Sequence, residues 1–78
     1  MPKSSHIYID ADLLKLIARI KWIRRQLGYS QEKLAYEMNR DKSSIQRLER
    51  GVVNPGFLYV RDIAKALGVP LRILMDIN

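Results

Sequence analysis

Cysteine is absent from the 78 residues of this protein, and histidine occurs only once, as His6. Without cysteine the chain can form neither a disulfide nor a thiolate nucleophile, and it cannot build a cysteine-based zinc or iron–sulfur site. A single histidine cannot supply a metal site of ordinary ligand spacing either. We therefore expect no bound metal, and a hydrophobic core that must hold the fold together without cross-links.

Long apolar runs and catalytic side-chain pairs are also missing. Lys15, Arg19 and Lys21 interrupt the longest apolar stretch, so nothing resembles a signal peptide or a membrane span. No Ser-His or Cys-His pair is available for nucleophilic catalysis, and the four glycines stand apart rather than in a phosphate-binding loop. We expect a cytoplasmic protein that is not an enzyme, needs no cofactor and has no membrane partner.

The sequence does contain an excess of positive charge. Fourteen lysines and arginines stand against eight acidic residues, which gives a net charge of +6. This balance suits a polyanionic partner such as nucleic acid. A soluble protein with a merely basic surface has the same balance, so charge alone leaves both interpretations open.

Residues 30–51 read SQEKLAYEMNRDKSSIQRLERG, and the rest of the chain is organised around them. In a helix that turns about 100° per residue, Ile45 and Leu48 fall on one side and polar, basic residues on the other. Asp41 is a favourable N-cap residue, and Gly51 suits the left-handed position that ends a helix. The pattern predicts an amphipathic helix with a basic, hydrogen-bonding outer face.

The segment before this helix predicts a second, short one. Ser30 is a favourable N-cap residue, and Asn39 tolerates the left-handed conformation that a tight turn requires. Between them, Leu34, Ala35 and Met38 point inward. Two short helices joined in this way form a helix-turn-helix unit.

The identities of these residues resemble the lambda-repressor-like helix-turn-helix family, also called the Cro-type or xenobiotic-response-element family. The similar positions are Ile20, Ile23, Arg24, Gly28, SQEKLA at 30–35, Ser44, Ile45, LERG at 48–51, Asn54, Pro55 and IAKALGVPL at 63–71. The resemblance implies a compact, all-α, five-helix domain that binds double-stranded DNA. We expect this helix-turn-helix domain at residues 11–78 and a short amino-terminal arm at residues 1–10.

Two residues depart from the family pattern. Asn39 replaces the usual glycine of the turn, and Arg40 stands where relatives carry a small apolar residue. Since asparagine tolerates the left-handed conformation, the turn should form. We expect Arg40 to lay its aliphatic stem on the core and keep its charged head in water.

The segment before the unit predicts the first and longest helix. It begins at Asp10 or Asp12 and ends near Leu27. Its predicted core residues are Leu13, Leu16, Ile17, Ile20, Ile23 and Leu27. Trp22 falls about opposite this stripe, and it either anchors an interface or packs on the β-prone run at residues 7–9.

The segment after the unit predicts two further helices. Asn-Pro and Pro-Gly pairs mark residues 52–56 as a loop. A fourth helix covers residues 57–67, and Pro70 introduces a short fifth helix at residues 71–75. Their predicted core residues are Phe57, Val60, Ile63, Ala64, Leu67, Leu71, Leu74 and Met75.

Arg24 and Glu49 fall on the apolar sides of their helices, which is unusual for charged residues. Arg24 lies near Ile20 and Leu27 on the helical wheel, and Glu49 lies about 40° from Ile45. A buried guanidinium needs an acidic partner, so we predict that the two residues pair. The pair would tie the first helix to the amphipathic helix of residues 41–51, called here the recognition helix. The family resemblance implies the same pair, and the alternative is two independent surface charges.

The outer face of the recognition helix supplies candidate DNA contacts. Arg47 can donate two hydrogen bonds to guanine, and Gln46 is a candidate for adenine. The resemblance assigns base contacts to positions 42, 43 and 47, and a backbone contact to Gln31. The predicted base contacts are Lys42, Ser43, Gln46 and Arg47. The predicted backbone contacts are Ser30, Gln31, Ser44, Arg50 and Asn54. Each could also be an ordinary solvated side chain.

These features predict a sequence-specific regulator of transcription that binds an inverted-repeat operator as a homodimer. A repressor is one expected form, and the sequence does not decide between repression and activation. Leu58, Ile73 and Ile77 fall outside the core stripes and are the predicted dimer interface; the alternative is a dimer made by the amino-terminal arm and Trp22. A rival interpretation is a protein-interaction module, such as an antitoxin or a transcription cofactor, with secondary DNA binding. Phage Cro proteins, restriction–modification controllers and antitoxins share this plan, and the sequence does not choose among them.

Overall fold

The structure, a computed structural model, describes residues 10–77 of the chain. This part contains five α-helices joined by turns and loops. They are α1 (Ala11–Gln26), α2 (Gln31–Glu37), α3 (Lys42–Glu49), α4 (Phe57–Leu67) and α5 (Leu71–Leu74). Residues 10–77 contain no strand, and the predicted all-α, five-helix fold is confirmed. The predicted arm, including the run at residues 7–9, lies outside the described residues except for Asp10. No helix in the described part is long and apolar enough to span a bilayer.

The amino-terminal ends of the helices are capped to different extents. The Asp10 carboxylate accepts the Asp12 N–H at 2.7 Å and so begins α1, while Ser30 Oγ accepts the Lys33 N–H at 3.0 Å at the start of α2. Asp41 occupies the N-cap position of α3, but its side chain makes no capping hydrogen bond. The prediction that the Asp41 carboxylate accepts a capping hydrogen bond is therefore wrong, although Asp41 is the N-cap residue. The N–H groups in the first turn of α3 remain available to an outside acceptor.

The turns on either side of α3 use the left-handed backbone region. Asn39 has φ +60° between α2 and α3, as its sequence position predicted, and Gly51 has φ +79° just after α3. The Arg40 N–H donates to the Ala35 carbonyl at 2.8 Å and closes the first turn. A side chain at Gly51 would be strained by its φ and would also contact Leu14. These two turns fix the length of the recognition helix at eight residues.

The hydrophobic core draws on every helix. Its fully buried large side chains are Ile20, Leu34, Ile45, Leu48, Ile63 and Leu74. Each such side chain contributes roughly 1.5–3 kcal/mol when it leaves water, which is what stabilises helices too short to persist alone. Helix α3 packs on α1 and α2, so its inner side is held from two directions and its outer side is free.

Three residues predicted to lie in the core are instead exposed. Leu27, Phe57 and Met75 are 46%, 66% and 49% exposed. Leu27 and Met75 are the C-cap residues of α1 and α5, and Phe57 is the first residue of α4. Side chains lean toward the amino-terminal end of a helix, so Phe57 extends past the start of α4. The predicted apolar stripes were therefore too long, because they included residues at helix ends that no neighbouring helix covers.

Ile73 is more buried than the sequence predicts. It was predicted to lie outside the core, but it is half-buried and packs against the core. Helix α5 is a single turn that contacts both α1 and α4, so more than one of its sides is covered. The Ile73 carbonyl also accepts a hydrogen bond from Arg19 Nε at 2.9 Å.

Candidate nucleic-acid interface

Arg24 and Glu49 form a two-point ion pair between α1 and the end of α3. Arg24 Nε donates to Glu49 Oε2 at 2.6 Å, and Nη2 donates to Oε1 at 2.9 Å. A third donor, Nη1, reaches the Tyr29 carbonyl at 2.7 Å. The two side chains are only 7% and 2% exposed. Parallel, charge-assisted hydrogen bonds fix orientation as well as distance, so this pair sets the rotation of α3 relative to α1.

The same carboxylate also holds Gln31 at the start of α2. Gln31 Nε2 donates to Glu49 Oε1 at 3.0 Å, a contact that the sequence analysis missed. An amide nitrogen carries two N–H donors. One donates to Glu49, and the other has no partner within residues 10–77, so it remains available for the predicted phosphate contact. The buried ion pair therefore also orients a predicted DNA-binding side chain.

The outer face of α3 has the opposite character. Lys42, Ser43, Arg47 and Arg50 are exposed, and Gln46 is half-buried. Within residues 10–77 the salt bridges involve other residues, so Lys42, Arg47 and Arg50 have no acidic partner there. Since Ile45 and Leu48 are buried on the inner side, α3 presents unpaired cations and a hydroxyl to the outside.

A cleft of about 410 Å³ lies on one side of this face. Its lining residues are Lys21, Arg24, Arg25, Ser30, Gln31, Glu32 and Lys42. It brings Ser30 and Gln31, predicted to contact the DNA backbone, together with Lys42, predicted to contact bases. Lys21 and Arg25 were not predicted, although their spacing of four on α1 puts them on one face, beside the arginine that reaches α3.

A second cleft, of about 230 Å³, lies on the other side and is called here the α3–α4 cleft. Its lining residues are Arg40, Ser44, Arg47, Val53, Asn54, Pro55, Gly56 and Tyr59. It brings together Ser44, Arg47 and Asn54. Three further predicted contacts, Ser43, Gln46 and Arg50, line neither cleft. The two clefts share no residue, so the predicted contacts are spread across both flanks of α3.

The predicted dimer residues differ in how far they are exposed. Leu58 is 60% exposed on α4, and Ile77 is half-buried beside a groove of about 490 Å³ that Trp22 also lines. Trp22 is 54% exposed, and the Arg19 guanidinium lies 5.5 Å from its ring centre. The predicted packing of Trp22 on residues 7–9 falls outside the described residues.

Comparison with known proteins identifies the family. Residues 20–74, well over half of the chain, match the family model described as helix-turn-helix. The chain belongs to the helix-turn-helix family. The predicted lambda-repressor-like resemblance is confirmed, and so is the predicted class of function, a DNA-binding regulator of transcription.

Several relatives of this helix-turn-helix protein are control proteins. It is 43% identical over 47 residues to the control protein C.BamHI of Bacillus amyloliquefaciens, a match that spans 60% of this chain and 58% of that relative's length. It is 35% identical to the crystal structure of the restriction-modification controller protein C.AhdI from Aeromonas hydrophila. There the TM-score is 0.77, and the match covers 83% of this chain and 98% of the other.

A third relative was solved with DNA. This is the restriction-modification controller protein C.Esp1396I, as a tetramer in complex with its natural 35 base-pair operator. It is 33% identical, with a TM-score of 0.80, and the match covers 86% of this chain and 88% of that one.

Proposed function

We propose that this protein is a controller of a restriction–modification system, which binds an inverted-repeat operator as a dimer and regulates transcription from it. The outer face of α3 carries this proposal, because its cations have no acidic partner within residues 10–77. The likeness to C.AhdI over 98% of that chain supports the assignment to controllers rather than to phage regulators or antitoxins.

The base contacts are assigned to α3. The major groove admits one α-helix and displays donors and acceptors that differ for each base pair. Arg47 is exposed and can donate two parallel hydrogen bonds to guanine O6 and N7. Lys42 and Ser43, at the open first turn, are the other principal base contacts. Gln46 is half-buried and contributes at the edge of the contact.

The backbone contacts are assigned mainly to the two flanks of α3. Ser30 and Gln31 face one cleft with the basic residues Lys21 and Arg25. Ser44 and Asn54 face the other, and Arg50 is exposed at the end of α3. The two phosphate backbones border the major groove on either side, so a helix lying in it needs donors on both flanks. The positions of the clefts support this arrangement.

The dimer is assigned to the carboxy-terminal half, with Leu58 as its principal exposed residue and Ile73 and Ile77 at its edge. A two-fold dimer would set two copies of α3 about 34–36 Å apart, on half-sites about 10 base pairs apart. In the C.Esp1396I complex a tetramer shares 35 base pairs, about nine for each subunit. This length of DNA per subunit is close to the one turn of DNA proposed for each half-site of this protein.

Selection from random duplex DNA with the purified protein tests the DNA assignment. An inverted-repeat motif with half-site centres about 10 base pairs apart is the expected result. Uniform recovery would contradict it and favour the rival function, a protein-interaction module. The selected motif then serves as the operator in the experiments below.

Sedimentation of Leu58→Glu tests the dimer assignment. A charge placed in an apolar interface is costly to desolvate, so this variant is expected to be a folded monomer with weakened operator binding. Tyr36→Glu is the control, because Tyr36 is 78% exposed on α2 and outside the proposed interface. A fully dimeric Leu58→Glu at micromolar concentration would place the interface elsewhere.

A further inference from the structure

Among residues 10–77, the α3–α4 cleft is lined by two arginines and by no acidic residue. Arg40 and Arg47 both line it, and neither forms a salt bridge with another residue in the range 10–77. Ser44 and Asn54 add neutral donors to the same walls. Two like charges repel each other across so small a space, and an anion placed between them would relieve the repulsion.

Arg40 is held at this cleft by an aromatic ring rather than by an acid. Its guanidinium lies 4.3 Å from the centre of the Tyr59 ring, within the range of a cation–π contact. The backbone N–H of Arg40 is fixed by the Ala35 carbonyl. A cation–π contact uses none of the five N–H donors of a guanidinium, and those of Arg40 make no hydrogen bond within residues 10–77.

The amino-terminal end of α4 opens into the same cleft. Its N-cap residue, Gly56, has no side chain to accept the free N–H groups of the first turn, and Gly56 lines the cleft. The first N–H groups of an eleven-residue helix carry partial positive charge. Together with the two arginines, they favour an anion that is compact enough for a cleft of about 230 Å³.

We propose that Arg40 binds one phosphate of the DNA backbone in the α3–α4 cleft, and that Tyr59 is the positioning residue that holds Arg40 there. This inference rests on the proposed function, because Arg47 joins the cleft to the α3 face that is assigned to the major groove. Neither Arg40 nor Tyr59 belongs to the set of contacts predicted from the sequence. The Tyr59 hydroxyl is buried and has no hydrogen-bond partner within residues 10–77, so the positioning role is assigned to the ring and not to the hydroxyl.

A phosphate scan on the selected operator tests the role of Arg40. Each phosphate in turn is replaced by an uncharged methylphosphonate, and affinities of the wild-type protein and of Arg40→Ala are compared. We expect the Arg40→Ala dimer to bind about a hundredfold more weakly, because it loses two hydrogen bonds to a charged group, each worth about tenfold. The one phosphate per half-site that Arg40 contacts should matter to the wild type and no longer matter to the variant.

The salt dependence gives a second, independent measurement. The slope of log affinity against log salt should fall by about 1.8 for a dimer that loses two phosphate contacts of about 0.9 each. Arg72→Ala is the matched control, since Arg72 is an exposed arginine on α5 that lines neither cleft. It should keep the wild-type phosphate pattern and nearly the wild-type slope.

Two variants of Tyr59 separate the ring from the hydroxyl. Tyr59→Phe keeps the ring and should retain the wild-type affinity and phosphate pattern. Tyr59→Leu removes the ring, so the dimer loses two exposed cation–π contacts of about threefold each and should bind about tenfold more weakly. The effect of the Arg40 phosphate should also be weaker in this variant. Urea unfolding of each variant reports stability separately from binding.

The possible failures are distinguishable. A wild-type protein that selects no DNA motif overturns the proposed function and this inference with it. A wild-type protein that selects a motif, beside an Arg40→Ala variant with unchanged affinity, salt slope and phosphate pattern, overturns the inference alone. Equal loss of binding in Tyr59→Phe and Tyr59→Leu would exclude positioning by the ring.

Discussion

The inner and outer sides of α3 both carry charged and polar side chains, but the two sides differ in whether those side chains have partners within residues 10–77. On the inner side, Glu49 accepts hydrogen bonds from Arg24 and Gln31, and its side chain is 2% exposed. On the outer side, Lys42 and Arg47 are exposed and have no acidic partner in the described part of the chain. Saturation with hydrogen-bond partners, rather than charge, therefore separates a residue that builds this fold from one that is available to bind a ligand.

The largest expected effect comes from breaking the inner side. Glu49→Ala leaves the Arg24 guanidinium buried without an acid, so we expect it to lower the free energy of unfolding by roughly 3–5 kcal/mol. The measurement is urea unfolding, with a double-mutant cycle that includes Arg24→Ala. A coupling energy near zero would mean that the pair adds nothing to stability.

Glu37→Ala is the surface control for this prediction. Glu37 pairs with Lys33 at 3.4 Å, but the two side chains are 39% and 54% exposed. A solvated pair of this kind contributes under about 1 kcal/mol. Equal losses for the two glutamates would remove the distinction between a structural and a superficial ion pair.

Breaking the outer side should leave stability alone and change recognition. Arg47→Ala removes no ion pair within residues 10–77. Its stability should therefore match the wild type to within about 0.5 kcal/mol, the cost of one cation lost from the last turn of a helix. We expect a loss of about 1–3 kcal/mol of discrimination at one base pair in each half-site. Repeating the selection with this variant checks the result, and an unchanged motif would show that Arg47 does not read a base.

The smallest effect concerns the first turns of α2 and α3. Ser30 caps α2 with a side-chain hydrogen bond, so Ser30→Ala should destabilise the protein by about 1 kcal/mol. Asp41 makes no such bond, so Asp41→Ala should cost about 0.5 kcal/mol or less, through the helix dipole alone. If thermal unfolding showed equal losses, the first turn of α3 would be as saturated as that of α2.

Most of the fold was readable from the sequence because its signals are local. The caps at Asp10 and Ser30, the turn at Asn39 and the apolar spacing within each helix depend on residues only a few positions apart. The expectations for Leu27, Phe57 and Met75 failed because a helical pattern does not reveal where the neighbouring helices stop. The expectation that Ile73 lies outside the core failed for a related reason, because neighbouring helices cover α5 on more than one side.

The candidate site was readable only in part. Side chains on the outside of α3 follow from helical geometry, and two charged residues on apolar faces predicted their own pairing. The contact of Gln31 with Glu49 spans 18 positions, and the stack of Arg40 on Tyr59 joins a turn to a different helix. No local pattern indicates either contact, because both depend on how the helices are arranged in space.

The separation of the two sides of α3 also bears on how such a protein can change over generations. Lys42, Ser43 and Arg47 make no side-chain hydrogen bond or ion pair within residues 10–77. Substitutions at these positions should therefore cost little in folding, and the proposed base contacts make them the substitutions expected to alter operator preference. Arg24 and Glu49 lack that freedom, because a change in one requires a matching change in the other. New target sequences can accordingly arise by single steps, each of which leaves a folded and testable protein.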